Sequence, residues 1–284
     1  VIVQLFNRRL VKLRKARVAE SLAQYDFLLR ESGDRLTDRL YDMQRDFPLA
    51  LEIGAYHGIL AERLTQTGKI RTLIQGAITP SLLADSKLPL VMDAEHLPIA
   101  AEVLDAVISN LSLHSVNDLV GALIQIRHSL KPDGLFLAVM PGPRTLQELR
   151  ESILAVSART GKAAPRISPF VEVRDAGALL QRAGFALPVI DSETLTLTYA
   201  NPLALLRELQ HLGETNCLSE QHRGIPSRHF WPEVFAHYQQ HYSDARGRIT
   251  ATLELVFMTA WSPHESQQKP APRGSGKISL KQVL

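Results

Sequence analysis

The 284 residues suffice for one large domain with additions or for two small ones, and 45% hydrophobic against 21% charged residues is the composition of a globular protein with a real core. A formal net charge of +3 is too weak to argue for nucleic acid as a partner. The one cysteine, Cys217, excludes an intrachain disulfide and a multi-cysteine zinc site and points to a reducing compartment. No run approaches eighteen consecutive apolar residues, so no helix is long and apolar enough to cross a membrane.

The chain opens on Val1 rather than methionine, which implies an upstream stretch that is removed or missing. VIVQLFNRRLVKLRKARVAE carries six basic side chains and no acid before Glu20, with Ile2, Leu5, Phe6, Leu10 and Leu13 at helical spacing. Such a helix packs on its own domain, touches an anionic membrane surface through residues 1–20, or continues from a targeting peptide. The pattern predicts helix over residues 1–46, with a break at Ser32-Gly33. LALEIG after Pro48 is a short buried strand, and ILAERLTQTGK an amphipathic helix stopped by Gly68. RTLIQGA, LPLVMDA and VLDAVISN are the next three strands. DLVGALIQIRHSL is a helix, LKPDG a turn, and LFLAVM the fifth strand.

After Pro141 the pattern changes. TLQELRES opens a helix over 145–160, KAAPRISPF is a loop with two prolines, and DAGALLQRAGF is a helix ending at Gly184. LPVIDSETLTLTY makes one or two strands, and NPLALLRELQHLG and FWPEVFAHYQQHY are helices. RITATLELVFMTAW is a long alternating strand whose period of two favours antiparallel pairing. Strands alternating with helices predict an α/β, doubly wound, mostly parallel sheet. The chain divides into a basic helical segment (1–46), a Rossmann-like cofactor half (47–144), the remainder of the sheet with a helical insertion (145–262) and a surface tail (263–284).

In such a sheet the ligand lies beyond the carboxyl ends of the strands, at the switch point. Gly54 and Gly58 bound a turn at the first strand's exit, with Tyr56 between them; that ring must point away or fill the pocket. The second strand ends without a carboxylate for ribose hydroxyls, leaving Gln75 or Thr79 as neutral substitutes. DAEHLP follows the third strand: Asp93 suits an adenine amino group, with Ala94 and Leu97 as apolar contacts, or the segment is an ordinary strand-end turn. His114, after the fourth strand, is a general base or a hydrogen-bonded structural histidine. Asn110, Ser112 and Asn117 orient a substrate or cap the next helix. Glu233, His237 and His241 recur at four-residue spacing, but the outer two lie about 12 Å apart along a helix, so all three cannot bind one ion and no metal site is expected.

Several stretches together resemble one known family. LPLVMDAEHLPIAAEVLDAVISNLSLHSVNDLVGALIQIRHSLKPDGLF, RLYDMQRDFPLALEIG, ISPF at Ile167 to Phe170, RDAGALLQRAGF, LGETNC and WSPHESQQKPAPRGS are similar to the mitochondrial complex I assembly factor 5 family and its alphaproteobacterial relatives. The likeness spans nearly the whole chain. It implies a class I SAM-methyltransferase (Rossmann-like) fold: a seven-stranded, mostly parallel sheet with an antiparallel last strand, plus helical additions. It also implies S-adenosylmethionine as ancestral cofactor and hydroxylation of an arginine in a complex I subunit. Glu52, Gly54, Gly58, Gln75, Asp93, Ala94, Leu97 and Asn110 are then the candidate cofactor contacts, with His114 the catalytic candidate. Ser112, Asn117, Arg144, Glu214 and Asn216 line the substrate cleft, although Glu214, Thr215 and Asn216 suit a helix-terminal cap equally well.

The departures from the family pattern gather around one cleft. Glu52, Ala55, Tyr56 and His57 differ in the loop, Ala77 stands near the place of the acid after the second strand, Ser115 replaces a tryptophan, and Pro143 and Arg144 alter a rim. Three functions follow as expectations. The first is a protein associated with a complex I subunit or assembly intermediate, modifying an arginine in the mitochondrial matrix beside the inner membrane, or in a bacterial cytoplasm. The second is a non-catalytic scaffold of the same fold. The third is a methyltransferase acting on a malonyl-carrier protein or small molecule.

Overall fold

A computed structural model of the protein describes residues 4–160, 166–220 and 227–268. Strands Leu49–Ile53 (β1), Thr72–Ala77 (β2), Pro89–Val91 (β3), Leu104–Asn110 (β4), Leu130–Pro141 (β5), Ala186–Tyr199 (β6) and Ile249–Trp261 (β7) form one seven-stranded sheet in the order β3-β2-β1-β4-β5-β7-β6. β1 pairs in parallel with β2 and β4, β2 with β3, and β4 with β5. β7 runs antiparallel between β5 and β6. This is the class I methyltransferase sheet that the family resemblance implies, and its chain order reverses between β1 and β4.

The helices are Arg8–Val18 (α1), Phe27–Tyr41 (α2), Ile59–Gln66 (α3), Leu119–Ser129 (α4), Gln147–Thr160 (α5), Val173–Arg182 (α6), Pro202–His211 (α7) and Phe230–His241 (α8). α2 and α3 cover one face of the sheet, where Leu36, Leu40, Leu60 and Leu64 pack with Ile108, Leu137 and Phe257. α4 and α6 cover the other, where Leu123, Ile126 and Leu180 meet Val107, Phe136 and Met258. Truncating any one of these buried leucines to alanine would cost about 2–5 kcal/mol. α5, α7 and α8 make a third cluster around Val156, Val234 and Tyr238, closed on Ile249 and Ala251 of β7. The Tyr238 hydroxyl donates to the Thr250 carbonyl at 2.8 Å, so the buried ring keeps a partner.

Three local expectations change. Ser32-Gly33 does not break a helix: α2 runs through both. The Ser32 hydroxyl returns to the Leu28 carbonyl (2.7 Å), and a side-chain carbon on Gly33 would sit 3.4 Å from the Asn110 amide and from Leu60. The small pair exists for close packing. Helix over 1–46 is instead interrupted between α1 and α2. The LKPDG turn lies within β5, whose pairing jumps from Leu104–Leu130 to Ala106–Leu135, with Asp133 at φ +63°. The segment 187–199 is one strand, β6, at the sheet's edge. The segments 47–144 and 145–262 share a single sheet through the β5–β7 pairing. Beyond residue 268 the expected tail lies outside the described residues.

Candidate functional site

At the exit of β1 the chain turns sharply. Gly54 has φ +81°, and a side-chain carbon there would lie 2.1 Å from Cβ of Ser112, so only glycine fits. The Gly54 and Ala55 amides donate to the Gly76 carbonyl at 2.8 and 2.9 Å, tying the turn to β2. Gly58, at φ +71°, starts α3 with open space beside it, so its need is conformational. Tyr56 is buried in the core under α2 and α3 and fills the loop. The His57 amide donates to the Leu82 carbonyl, and its Nδ1 lies 3.6 Å from Asp85.

A hollow opens here, floored by Gly54, Gly76, Ala77, Ile78, Met92, Ala94 and Ser112. Its roof is the N-terminal segment. Arg8, Val11 and Lys15 of α1 project into it, with Tyr56 at the side. Arg8 pairs with both Asp93 carboxylate oxygens, lies 3.5 Å from Glu95, and donates to the Ser115 carbonyl at 2.8 Å. Upstream, Asn117 clasps the backbone of Phe6: its Oδ1 accepts from the Phe6 amide (2.7 Å) and its Nδ2 donates to the Phe6 carbonyl (3.2 Å). The Asn7 amide donates to the Cys217 carbonyl and the Ser219 amide to the Leu5 carbonyl, both at 2.8 Å. Residues 5–7 are thus a strap laid across the cleft.

Lys15 lines both this hollow and a second, larger cavity. Its ammonium donates to the Leu212 carbonyl (3.0 Å) and to Glu214 (2.5 Å), and lies 4.9 Å from the centre of the Tyr56 ring. The other Glu214 oxygen meets His114 Nε2 at 3.0 Å. Burial pushes the Lys15 ammonium down, but Glu214 outweighs it and holds it above the ordinary lysine range. Burial likewise pushes Glu214 up, and Lys15 and His114 together bring it well below the usual carboxylate range. Burial raises the Tyr56 hydroxyl, with Lys15 opposing. His114 Nδ1 is buried without a hydrogen-bond partner among the described residues. The cavity encloses about 380 Å³ between α5, α7, α8 and the Ile167–Phe170 segment, with mainly leucine, isoleucine and aromatic walls.

The expected site residues divide accordingly. Gly54, Ala94 and Ser112 line the hollow, while His114, Glu214 and Asn216 line the cavity. Glu52 and Gln75 line neither. Both are buried within the sheet, 3.4 Å apart, and burial lifts the Glu52 carboxyl to about 7. Asn110 is turned to α2, donating to the Leu29 carbonyl (2.8 Å) and accepting from Ser32 (2.7 Å). Leu97 packs in the α4-side core, its amide donating to Gln125. Asp93 and Asn117 hold the roof rather than facing the hollow. Arg144 is exposed and held through its backbone amide by Glu254 (2.9 Å). Glu233, His237 and His241 line neither cavity; Glu233 pairs with Arg159, and the two imidazoles stack 4.1 Å apart.

Lys15 escapes a reading of the basic segment as a solvent- or membrane-facing helix. Its signal is the Val11, Lys15, Val18 spacing, which puts all three on one buried face. Arg166, also on the cavity wall, lies in a proline-containing loop with no periodicity to mark it.

The floor suits an adenosyl group: a glycine exit, apolar Ala77, Ile78 and Met92, and the switch-point position. The room does not. The hollow encloses about 50 Å³, against roughly 300–1,000 Å³ for pockets that take drug-sized ligands. The residues present do not accommodate S-adenosylmethionine while α1 is seated, and β2 ends on Ala77 and Ile78 without a carboxylate.

Comparison with known proteins agrees with the sheet. Residues 51–138 match a methyltransferase domain family. The chain is 40% identical to the zebrafish (Danio rerio) protein named arginine-hydroxylase NDUFAF5, mitochondrial, over 96% of its own length and 87% of that protein's. It belongs to the arginine-hydroxylase NDUFAF5 family. A malonyl-[acyl-carrier protein] O-methyltransferase of Gallionella capsiferriformans is more distant, at 30% identity over 94% of this chain and 92% of that protein. Among solved structures, a methyltransferase of Bacillus halodurans superposes with a TM-score of 0.57 at 13% identity, covering 81% of this chain and 99% of that one. A phosphoethanolamine N-methyltransferase of Haemonchus contortus, solved with S-adenosyl-L-methionine, superposes with a TM-score of 0.53 at 15% identity, covering 87% and 57%. These structural likenesses carry the fold. The NDUFAF5 likeness extends past the methyltransferase segment to both the roof and the cavity side of the chain.

Proposed function

We propose that this chain is a methyltransferase-fold arginine hydroxylase that acts on a protein arginine during respiratory complex I maturation. The observation that carries it is the extent of the family likeness, 96% of the chain at 40% identity, which far exceeds the 51–138 segment common to methyltransferases at large. In this reading the work is done in the mitochondrial matrix beside the inner membrane, or in the corresponding bacterial cytoplasm, with a complex I subunit or assembly intermediate as partner. The outer face of α1 supports peripheral attachment: Arg9, Lys12, Leu13 and Arg17 are exposed, whereas Arg8, Arg14 and Lys15 are turned to the protein.

S-adenosylmethionine is the proposed ligand of the hollow at β1 and β4, and its binding requires α1 to withdraw Arg8, Val11 and Lys15. The chain's own residues then bind and orient. The ionised Glu214 carboxylate stands beside Lys15 at the junction of the two spaces, where release of the Lys15 ammonium frees a charge-assisted acceptor for a guanidinium. His114 keeps that carboxylate in place from the other side.

Mass spectrometry of the complex I subunits from cells with and without this protein tests the reading. An arginine carrying one added oxygen is expected in the first sample only; unchanged arginines in both would reject enzymatic hydroxylation. Calorimetry with S-adenosylmethionine tests the ligand: no heat of binding at any accessible concentration supports a scaffold. Methyl transfer to a malonyl carrier protein, the activity in the Gallionella relative's name, would displace the proposal altogether.

A further inference from the structure

One charge on the large cavity has no role in the hydroxylase reading. Arg166 lies on its wall, half-buried, with its guanidinium carbon 4.6 Å from the centre of the Phe230 ring and 5.7 Å from that of Trp231. The two rings hold the cation from one side. Among the described residues its guanidinium makes no hydrogen bond or ion pair. Burial alone moves it below the ordinary arginine range.

An arginine in such a place is uncommon. Its five N–H donors lose water on burial, and a half-buried guanidinium normally meets a carboxylate or a carbonyl. The acid on the cavity wall, Glu214, is engaged by Lys15 and His114 and does not neutralise it. Most of the remaining wall is apolar, with Leu146, Leu149, Ile153, Leu206 and Leu209 among the residues that enclose about 380 Å³, a volume in the range that takes a small organic ligand. Lys15, the other cation on the wall, is neutralised by Glu214, which leaves Arg166 as a cation without an acid beside a long apolar surface, and that selects for an anionic head and a hydrocarbon body. A cationic ligand meets repulsion from Arg166, and a neutral one leaves its donors unsatisfied.

We infer that this cavity binds an amphipathic carboxylate, with the acid head on Arg166 and the hydrocarbon tail along the α5 and α7 leucines. Glu214, to which the substrate guanidinium is assigned, lines the same cavity, but the acid head is held by Arg166, which repels a guanidinium, and the inference does not rest on the arginine chemistry.

Calorimetry of the intact chain with decanoate, decanol and decylamine, each below its micelle-forming concentration, tests this without any turnover. Decanoate is expected to bind once per chain and roughly tenfold or more tighter than decanol, the difference a charge-assisted hydrogen bond makes; decylamine should bind no better than decanol. Arg166→Gln should abolish the preference while leaving decanol affinity as it was, Arg166→Lys should keep part of it, and Leu209→Trp, which fills the space, should weaken both ligands. A wild-type protein that binds decanoate no better than decanol, or not at all, overturns the proposal whatever the variants do. So does a folded Arg166→Gln protein that retains the preference. Because no product is measured, failure of the hydroxylation assay and failure of this titration are separate outcomes.

Discussion

Replacing Glu52 by glutamine isolates the cost of burying an acid behind the floor of the hollow. Glu52 is 1% exposed near the end of β1, and its side chain meets only the Gln75 amide among the described residues, at 3.4 Å, the far limit of a hydrogen bond. Burial lifts its carboxyl from 4.5 to about 7, with Gln75 opposing weakly. Between these values the native state holds a proton that the unfolded chain has released. The unfolding free energy therefore falls as pH rises: the stabilising proton is fully present below pH 4.5 and lost as pH passes through 7. The difference corresponds to about 3 kcal/mol, at ~1.4 kcal/mol for each tenfold change in proton affinity. Glu52→Gln keeps the size and removes the ionisation. Urea melts followed by circular dichroism between pH 5 and pH 8 should find the variant within ~1 kcal/mol of wild type at the acid end and about 2–3 kcal/mol more stable at the alkaline end. Parallel pH profiles, or a variant less stable than wild type at pH 8, would refute the reasoning, since either requires the carboxylate to be well solvated or well partnered.

Lys15→Met removes the counter-charge of Glu214 and should destabilise by about 3 kcal/mol or more; adding Glu214→Gln should recover part of this in a double-mutant cycle, and additive losses would deny the coupling. Because Glu214 is held below its ordinary range, its contribution is present above the unfolded carboxylate value and should fade as pH falls below about 4, which acid titration of the same variants reads directly. Gly54→Ala should cost on the order of 2 kcal/mol or more, from positive φ and the collision with Ser112; a melt within error of wild type would show that the turn rearranges freely. Arg8→Ala unfastens the roof from Asp93 and should tighten binding of S-adenosylhomocysteine in calorimetry; unchanged or weaker binding would mean that α1 does not compete for the hollow.

What was legible in the sequence was whatever is local and periodic. The buried run at LALEI and the glycine at the exit of β1 each carry their geometry in a few adjacent residues, and RITATLELVFMTAW is the long antiparallel strand its period of two suggests, although β7 lies between two strands and is buried at nearly every position. Ser32-Gly33 misleads because small residues serve two ends, breaking a helix or letting it approach a neighbour, and only Asn110 across the interface decides which. Asp93 resembles a ligand acid by its place after β3, yet its partner is Arg8, 85 positions earlier, and no local pattern announces a pairing over that distance. Asn110 suits a substrate contact by position but is consumed by the Leu29 carbonyl and the Ser32 hydroxyl. Lys15 was within reach through the Val11–Val18 face. Arg166 was not, since its surroundings are assembled by α8 from residues 64 and 65 positions away.

The strap and α1 together fasten the amino-terminal segment to residues 212–219. Lys15 and Leu212 stand 197 positions apart, and Arg14 and Asn216 stand 202 apart. Closing so long a loop adds little to its entropic cost per residue, but contacts of that range form after local ones. During synthesis the parallel strands β1 to β5 can therefore pair with their mouth still uncovered, and the first turns of the polypeptide come down only once residues 212–219 have emerged. A nucleoside captured in that interval would occupy the space that Arg8, Val11 and Lys15 fill in the finished fold, and the descending amino end would have to displace it or stay off the mouth.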